Sequence, residues 1–225
     1  MSMETEGSLR ERLVDVGVEL VLTEGVAALG LREIARRAGV SHGAPRRYFP
    51  SHQALLSAIA RRGFADLAER SAEALDGARS PRARLRALAC AYVRYAQDRP
   101  GMFELMFRHD LLRGQERAAG RTPLREASLP LFRRVTELVA RHQEENGARR
   151  GVPAETTAVA LWSNVHGLTQ LWSWGSIGLA LGTDDSPRSA DGPGGPDAPD
   201  RPESFDQLDR LLDAVLDAHL GEVGA

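Results

Sequence analysis

The chain has 225 residues, enough for one large or two modest domains whose core needs no disulfide or metal to hold it. It is 42% hydrophobic and 27% charged, with a mean hydropathy of -0.31, the profile of a soluble globular protein. The net charge of -2 excludes a uniformly basic, histone-like binder, and all 29 basic residues are arginine. The absence of lysine excludes a Schiff-base lysine, a Walker-type phosphate lysine and a lysine general base.

The first residues, Met1 to Ser8, carry Glu4 and Glu6 and no apolar core, so no secretory signal is expected there. Leu9, Leu13, Val16, Leu20 and Val21 recur at three- and four-residue steps and predict a helix that ends at Glu24-Gly25. A second helix is expected over Leu31 to Ala38, with Leu31, Ile34, Ala35 and Ala38 inward and Arg32, Glu33, Arg36 and Arg37 outward. After a turn at Gly39-Val40, Ser41 is placed to cap an eight-residue helix. Phe49-Pro50-Ser51 closes that helix and caps the next, whose apolar stripe is Leu55, Ala58, Ile59, Phe64 and Leu67.

Further helices are predicted over Pro81 to Asp98, Gly101 to Leu112, Pro123 to Glu145, Pro153 to Leu181 and Ser204 to Leu220. Cys90, the only cysteine, lies in the apolar run Leu88-Ala89-Cys90-Ala91 and reads as a small buried hydrophobe. Residues 182–203 contain four glycines, five prolines and five aspartates, with no Val, Leu, Ile or aromatic residue. Such a segment buries too little to offset ordering entropy and reads as a flexible linker. No run reaches the apolar length of a membrane span, and the expected location is the cytoplasm.

Leu31 to Phe49 has the form of a helix-turn-helix whose second helix is too short and too polar for a core element. His42, Arg46, Arg47 and Tyr48 offer imidazole, guanidinium and phenol groups, while Gly43 and Ala44 keep the leading turn thin enough to enter a major groove. From Leu31 to His52 five arginines meet one acid, a local charge of +4 in a chain of -2 overall. A solvated surface face would account for the same charges.

Arg10 to Ala60 resembles the DNA-binding domain of the TetR family of one-component bacterial regulators. The matching residues are Leu13-Val14-Asp15-Val16-Gly17-Val18-Glu19-Leu20, Gly25, Arg32-Glu33-Ile34-Ala35, Ala38-Gly39-Val40-Ser41, Gly43-Ala44-Pro45, Arg47-Tyr48-Phe49-Pro50-Ser51 and Ala54-Leu55-Leu56. Leu161-Trp162-Ser163-Asn164-Val165-His166-Gly167 is similar to a Trp–His–Gly signature of one branch of that family. The chain departs from the family pattern at three places. Gly30 replaces the usual threonine, Arg46 the usual tyrosine, and His52 the usual lysine, so two familiar phosphate contacts are altered. Arg46 restores a donor able to bind a phosphate with two parallel bonds.

The resemblance implies an all-α fold: a three-helix helix-turn-helix domain over residues 1–52 and a larger effector-binding and dimerisation domain over 53–225. It implies double-stranded DNA with a palindromic operator as partner, a homodimer sealed by the last two helices, and a small-molecule effector, with no cofactor or metal. Arg46, Arg47, Tyr48 and His52 are the expected phosphate contacts, His42, Gly43 and Ala44 lie nearest the base edges, and Arg32 and Ser41 are further expected DNA-binding residues.

Met102, Phe103, Met106 and Phe107 form an apolar cluster that reads either as ordinary core or as the wall of an adaptable pocket. On the helix from Pro153, Leu161, Val165, Leu168, Trp172 and Leu179 form one apolar stripe, and Trp162, His166, Thr169 and Ser173 run beside it. Those polar groups need partners, from a ligand or from neighbouring helices. Gly167, Gly175 and Gly178 would permit close helix approach. The last helix presents Phe205, Leu208, Leu211, Leu212, Val215, Leu216 and Leu220, with acids opposite.

The reading is a homodimeric repressor released by an effector, not an enzyme. A rival is an effector-binding helical dimer whose altered reader acts through protein contacts. A small helical enzyme has only His109, Asp110 and His166 to draw on, in no nucleophile–base or metal-ligand spacing.

Overall fold

The computed structural model describes residues 2–108, 112, 123–146, 152–182 and 202–221. Among them every regular element is helical: α1 (Ser2–Glu24), a 3-10 turn (Val26–Ala28), α2 (Leu31–Arg37), α3 (Pro45–Tyr48), α4 (His52–Ala74), α5 (Pro81–Asp98), α6 (Pro100–Phe107), α7 (Pro123–Asn146), α8 (Ala154–Ser173), α9 (Ser176–Leu181) and α10 (Pro202–Leu220). None of these helices is long and apolar enough to cross a membrane. The chain divides into two compact units, residues 1–72 with 95–131, and residues 73–94 with 132–225.

In the first unit, Leu13, Leu20, Ile34, Leu55 and Ile59 are fully buried and form the centre. Gly17 lets α1 and α4 meet, because a Cβ there would sit 2.3 Å from the Ile59 Cδ1. Met102 and Met106 of α6 close over Gly63 of α4, where a Cβ would lie 2.7 Å from their side chains. Tyr95 is fully buried and donates its hydroxyl to the Gly63 carbonyl at 3.0 Å. The Met102–Phe107 cluster is therefore largely core: Met102, Phe103 and Met106 are buried, and Phe107 packs on Phe64 and Phe103. The helix expected to reach Leu112 ends at Phe107, and His109 and Asp110 lie outside the described residues.

The second unit is built on Leu85, Val93, Val139, Ala158, Leu161, Leu212 and Leu216. Leu208, Leu212, Leu216 and Leu220 recur every four residues and bury one side of α10, with Leu211 and Val215 partly covered beside them. Phe205 falls among side chains outside the description. Arg82 and Arg86 of α5 face Asp209, Asp213 and Asp217 of α10 across a ladder of ion pairs, with Arg86 Nε to Asp213 at 2.6 Å. Cys90 is half-buried, packed against this core at the end of the ladder and 3.9 Å from Asp209. Burial pushes its thiol up, so it stays protonated and unreactive near neutrality.

The continuous helix expected over Pro153 to Leu181 breaks at Gly175, which takes a left-handed φ of 72° and separates α8 from α9. Gly175 thus ends a helix instead of thinning one, and Leu179, turned out of the expected stripe, is 76% exposed. The stretch read as a linker over 182–203 lies outside the described residues from 183 to 201. At its edges Gly182 closes α9 at φ 68°, and Pro202 already opens α10.

Candidate nucleic-acid interface

The reader is mounted by backbone bonds that the sequence specifies closely. Gly30 is the N-cap of α2 in extended conformation, without a side-chain bond, and its carbonyl accepts from the Ile34 N–H at 3.0 Å. At the other end Gly39 takes φ 66°; its N–H bonds Arg36 O at 3.1 Å, and Val40 N–H bonds Ala35 O at 3.0 Å. That pair of bonds is a Schellman closure, and only glycine adopts the left-handed position without strain. Ile34, Ala35 and Ala38 are buried, as expected, and fix α2 to the core.

The second reader helix is shorter than expected. Ser41 does not cap it: α3 spans only Pro45–Tyr48, with Ala44 as its N-cap. The cause is Pro45. A helix begun at Ser41 would need residue 45 to donate to the Ser41 carbonyl, and proline has no N–H. The Ser41 carbonyl instead accepts from Ala44 N–H at 2.9 Å, making a tight turn before the helix. Phe49, buried behind Tyr48, returns its N–H to Pro45 O at 2.9 Å and ties the helix to the core. Ser51 does cap the following helix, accepting from Ala54 N–H at 3.1 Å.

This places Ser41, His42 and Gly43 on an exposed turn, and Arg46 and Arg47 exposed just after it. A Cβ on Gly43 would meet nothing within 4 Å, so the turn's leading edge is bare. Ala44 and Tyr48 are half-buried, and Arg32 on α2 is exposed. His52 behaves differently from the rest. Its Nε2 hydrogen-bonds the Leu29 carbonyl, which joins the start of α4 to the strand of chain entering α2.

The local charge is smaller than the residue count. Arg36 makes two bonds to Glu33, at 2.9 and 2.6 Å, and Arg37 reaches both Glu33 at 2.8 Å and Glu24. Glu33 is held at about 2 by its bonds to Arg36 and Arg37. Glu24 stands outside the window from Leu31 to His52, so the charge count over that window missed it. Among the described residues no ion pair reaches Arg32, Arg46 or Arg47 of the reader.

The residues expected to line a pocket fall in two groups. Met102, Phe103, Met106 and Phe107 belong to the first unit; Trp162, His166, Thr169, Trp172 and Ser173 belong to the second. In the second unit the polar stripe finds partners within the protein. Thr169 donates to Val165 O at 2.7 Å, and Ser173 donates to Thr169 O at 2.9 Å. His166 Nδ1 lies 2.7 Å from the Tyr92 hydroxyl, and the Trp162 indole bonds the same phenol. Tyr92 is the residue that periodicity on the tryptophan helix could not point to, since it lies 74 positions away. A cavity of about 590 Å³ in the first unit is lined by Glu24, Gly30, His52, Leu56 and Glu104, among others, and by none of the nine pocket candidates.

Comparison with known proteins matches this arrangement. The family described as "Bacterial regulatory proteins, tetR family" covers residues 13–59, and "Tetracyclin repressor-like, C-terminal domain" covers residues 85–192. The HTH-type transcriptional regulator BetI of Rhizobium meliloti (strain 1021) is 35% identical over 91 residues, which is 40% of this chain and 45% of that protein. The chain therefore aligns with less than half the length of this curated relative. A protein of unknown function from Rhodococcus sp. RHA1 has the same fold at 27% identity, with a TM-score of 0.63, over 98% of this chain and 97% of that one. The transcriptional regulator FadR of Bacillus subtilis, solved with stearoyl-CoA, aligns at a TM-score of 0.62 and 14% identity over 95% of this chain and 99% of its own. With both halves matched, around a Schellman-closed α2 and a bare basic turn, the chain belongs to the TetR family of bacterial regulatory proteins, which are transcriptional regulators and not enzymes.

Proposed function

We propose that the protein is a cytoplasmic, homodimeric repressor that binds a palindromic DNA operator and leaves it when a small effector binds. The observation that carries this reading is the exposed turn from Ser41 to Ala44 running into Arg46 and Arg47, with no carboxylate bonded to either arginine among the described residues. Such a turn enters a major groove with its backbone close to the base edges. Arg32, Arg46, Arg47 and Tyr48 hold phosphates; Ser41, His42, Gly43 and Ala44 approach bases; His52 acts chiefly by fixing the Leu29 loop, with its Nδ1 edge left for a phosphate.

Dimerisation is assigned to α8 and α10. Val159, Trp162 and Leu171 of α8 and Trp174 just beyond it remain exposed, Trp174 by 68%, a concentration of apolar surface that a second copy would cover. Two-fold symmetry then sets two readers roughly 34–36 Å apart, one helical turn of DNA. The effector is assigned to the Trp162, His166, Thr169, Trp172 and Ser173 side of α8, where it would exchange for the Tyr92–His166 bond. Met102, Phe103, Met106 and Phe107 contribute the apolar packing that a shift of α6 would rearrange. Release follows only to the extent that the effector binds the DNA-free arrangement more tightly.

The test is selection of random duplex DNA by the purified protein at two salt concentrations. An enriched palindrome whose affinity falls steeply with salt is the expected result. No enrichment at low salt sinks the repressor reading and leaves an effector-binding dimer that acts through protein contacts.

A further inference from the structure

Beyond the reader, one basic group is oriented by the fold without being consumed by it. Arg10, on the exposed side of α1, lies with its guanidinium carbon 5.1 Å from the centre of the Phe49 ring. Phe49 is 3% exposed and is the C-cap of α3, anchored to Pro45 O. The guanidinium is thereby positioned beside the C-terminal end of α3. A ring face attracts the cation but takes none of its five N–H donors.

We propose that Arg10 is a DNA-backbone contact, its in-plane N–H edge bonding a phosphodiester oxygen beside the groove that the turn from Ser41 to Arg47 enters. This rests on the DNA-binding reading and extends it to a helix outside the helix-turn-helix.

Three observations support the assignment. First, Arg10 has no carboxylate within ion-pair distance among the described residues, whereas Arg36, Arg37 and Arg62 of the same unit are bonded to Glu33, Glu24 and Asp15. Second, a like charge stands near it. Burial and, after it, the Arg10 charge lower the proton affinity of Arg61 on α4, opposed by Glu126. Two guanidinium groups side by side repel, and an anion bonded to Arg10 lowers that repulsion. Third, the contact is to Phe49 itself, so the donor edge keeps its place relative to α3 and little ordering entropy is lost on binding. A free phosphate ion offers the same oxygens, and competition by inorganic phosphate separates the two sources.

The experiment uses the full-length protein and a labelled random-sequence duplex of about 40 base pairs, since non-specific binding isolates phosphate contacts. Dissociation constants are measured between about 50 and 200 mM KCl for wild type, Arg10→Ala and Arg10→Lys, with thermal melting alongside. Arg10→Ala is expected to weaken binding about three- to tenfold and to flatten the log–log salt slope by about 0.9 for each reader engaged. Arg10→Lys keeps the charge and should keep most of the slope. Competition by inorganic phosphate at fixed ionic strength should leave the wild-type constant unchanged; matched competition in wild type alone would assign Arg10 to a free anion and overturn the proposal. A slope unchanged in Arg10→Ala, with or without a lower melting temperature, overturns it too and leaves Arg10 as a packing partner of Phe49. Wild type that binds no duplex at 50 mM overturns the DNA-binding reading itself, a separate result.

Discussion

Arg46 and Arg47 of α3 and Arg82 and Arg86 of α5 are the same side chain put to opposite uses. In α5 Arg82 meets Asp217 and Arg86 meets Asp209 and Asp213, aspartates of α10 set four residues apart, and Arg82 also donates to Gly221 O at 2.7 Å. In α3 no acid among the described residues pairs with either arginine, and both are exposed. The ladder spends its donors on holding α10 to the core; the reader keeps its donors for a partner. What separates paired from unpaired arginines here is the spacing of carboxylates on the neighbouring helix, not local charge density. Arg36 and Arg37 show the same rule inside the reader, where Glu33 and Glu24 claim them.

The sharpest way to break this contrast is to remove the reader's pair. Arg46→Ala with Arg47→Ala should lower DNA affinity by about 100-fold or more at moderate salt and reduce the salt slope by about 3 to 4 for a dimer, with the melting temperature unchanged. A fall in stability of equal size would place these arginines with the ladder.

Gly101→Ala probes the frame that carries the reader. A Cβ at Gly101 would lie 2.4 Å from the Val21 carbonyl oxygen, so backbone must move, at a cost of about 1–3 kcal/mol by chemical denaturation. No loss of stability would mean that α6 does not press on α1 as described. Smaller again is the ladder. Arg86→Ala should cost about 0.5–1 kcal/mol, less at high salt, because the pair is nearly half exposed, and DNA affinity should not change.

Glu33 supplies a pH test. Its folded value of about 2 lies below the ordinary 4.5, so its ion pairs contribute fully above pH 4.5 and fade as pH falls through about 2. A carboxyl titration by NMR should find that low midpoint, and Arg36→Ala should raise it. The smallest effect belongs to Gly30→Ser. With φ of -77° and open space around a new Cβ, serine can cap α2 for a gain of a few tenths of a kcal/mol. A loss instead would show that the α2 entry cannot accept a side chain.

Much of the fold was legible because its boundaries are chemical. Gly39, Ser51, Pro81 and Pro123 each stop or start a helix by a bond or a missing donor that local sequence reveals. The turn from Ser41 to Ala44 was not read as one, because those residues were expected to form the first turn of a helix. Pro45 could have been read correctly, since a proline five residues into a proposed helix forbids the first bond. What escaped was pairing at long range. Nothing near Arg82 announces Asp217, nothing near His166 announces Tyr92, and Glu24 reaches Arg37 across 13 residues. Periodicity tells which face is buried; it does not tell which polar group waits on the other helix.

The break at Gly175 has an optical consequence. All three tryptophans, Trp162, Trp172 and Trp174, belong to the second unit, and the break leaves Trp174 in solvent. Intrinsic fluorescence excited near the red edge of protein absorption therefore reports on that unit alone, and unfolding confined to the reader is silent. Emission from Trp174 in the free chain should be water-like, and any partner that covers it will announce itself by a blue shift without a label.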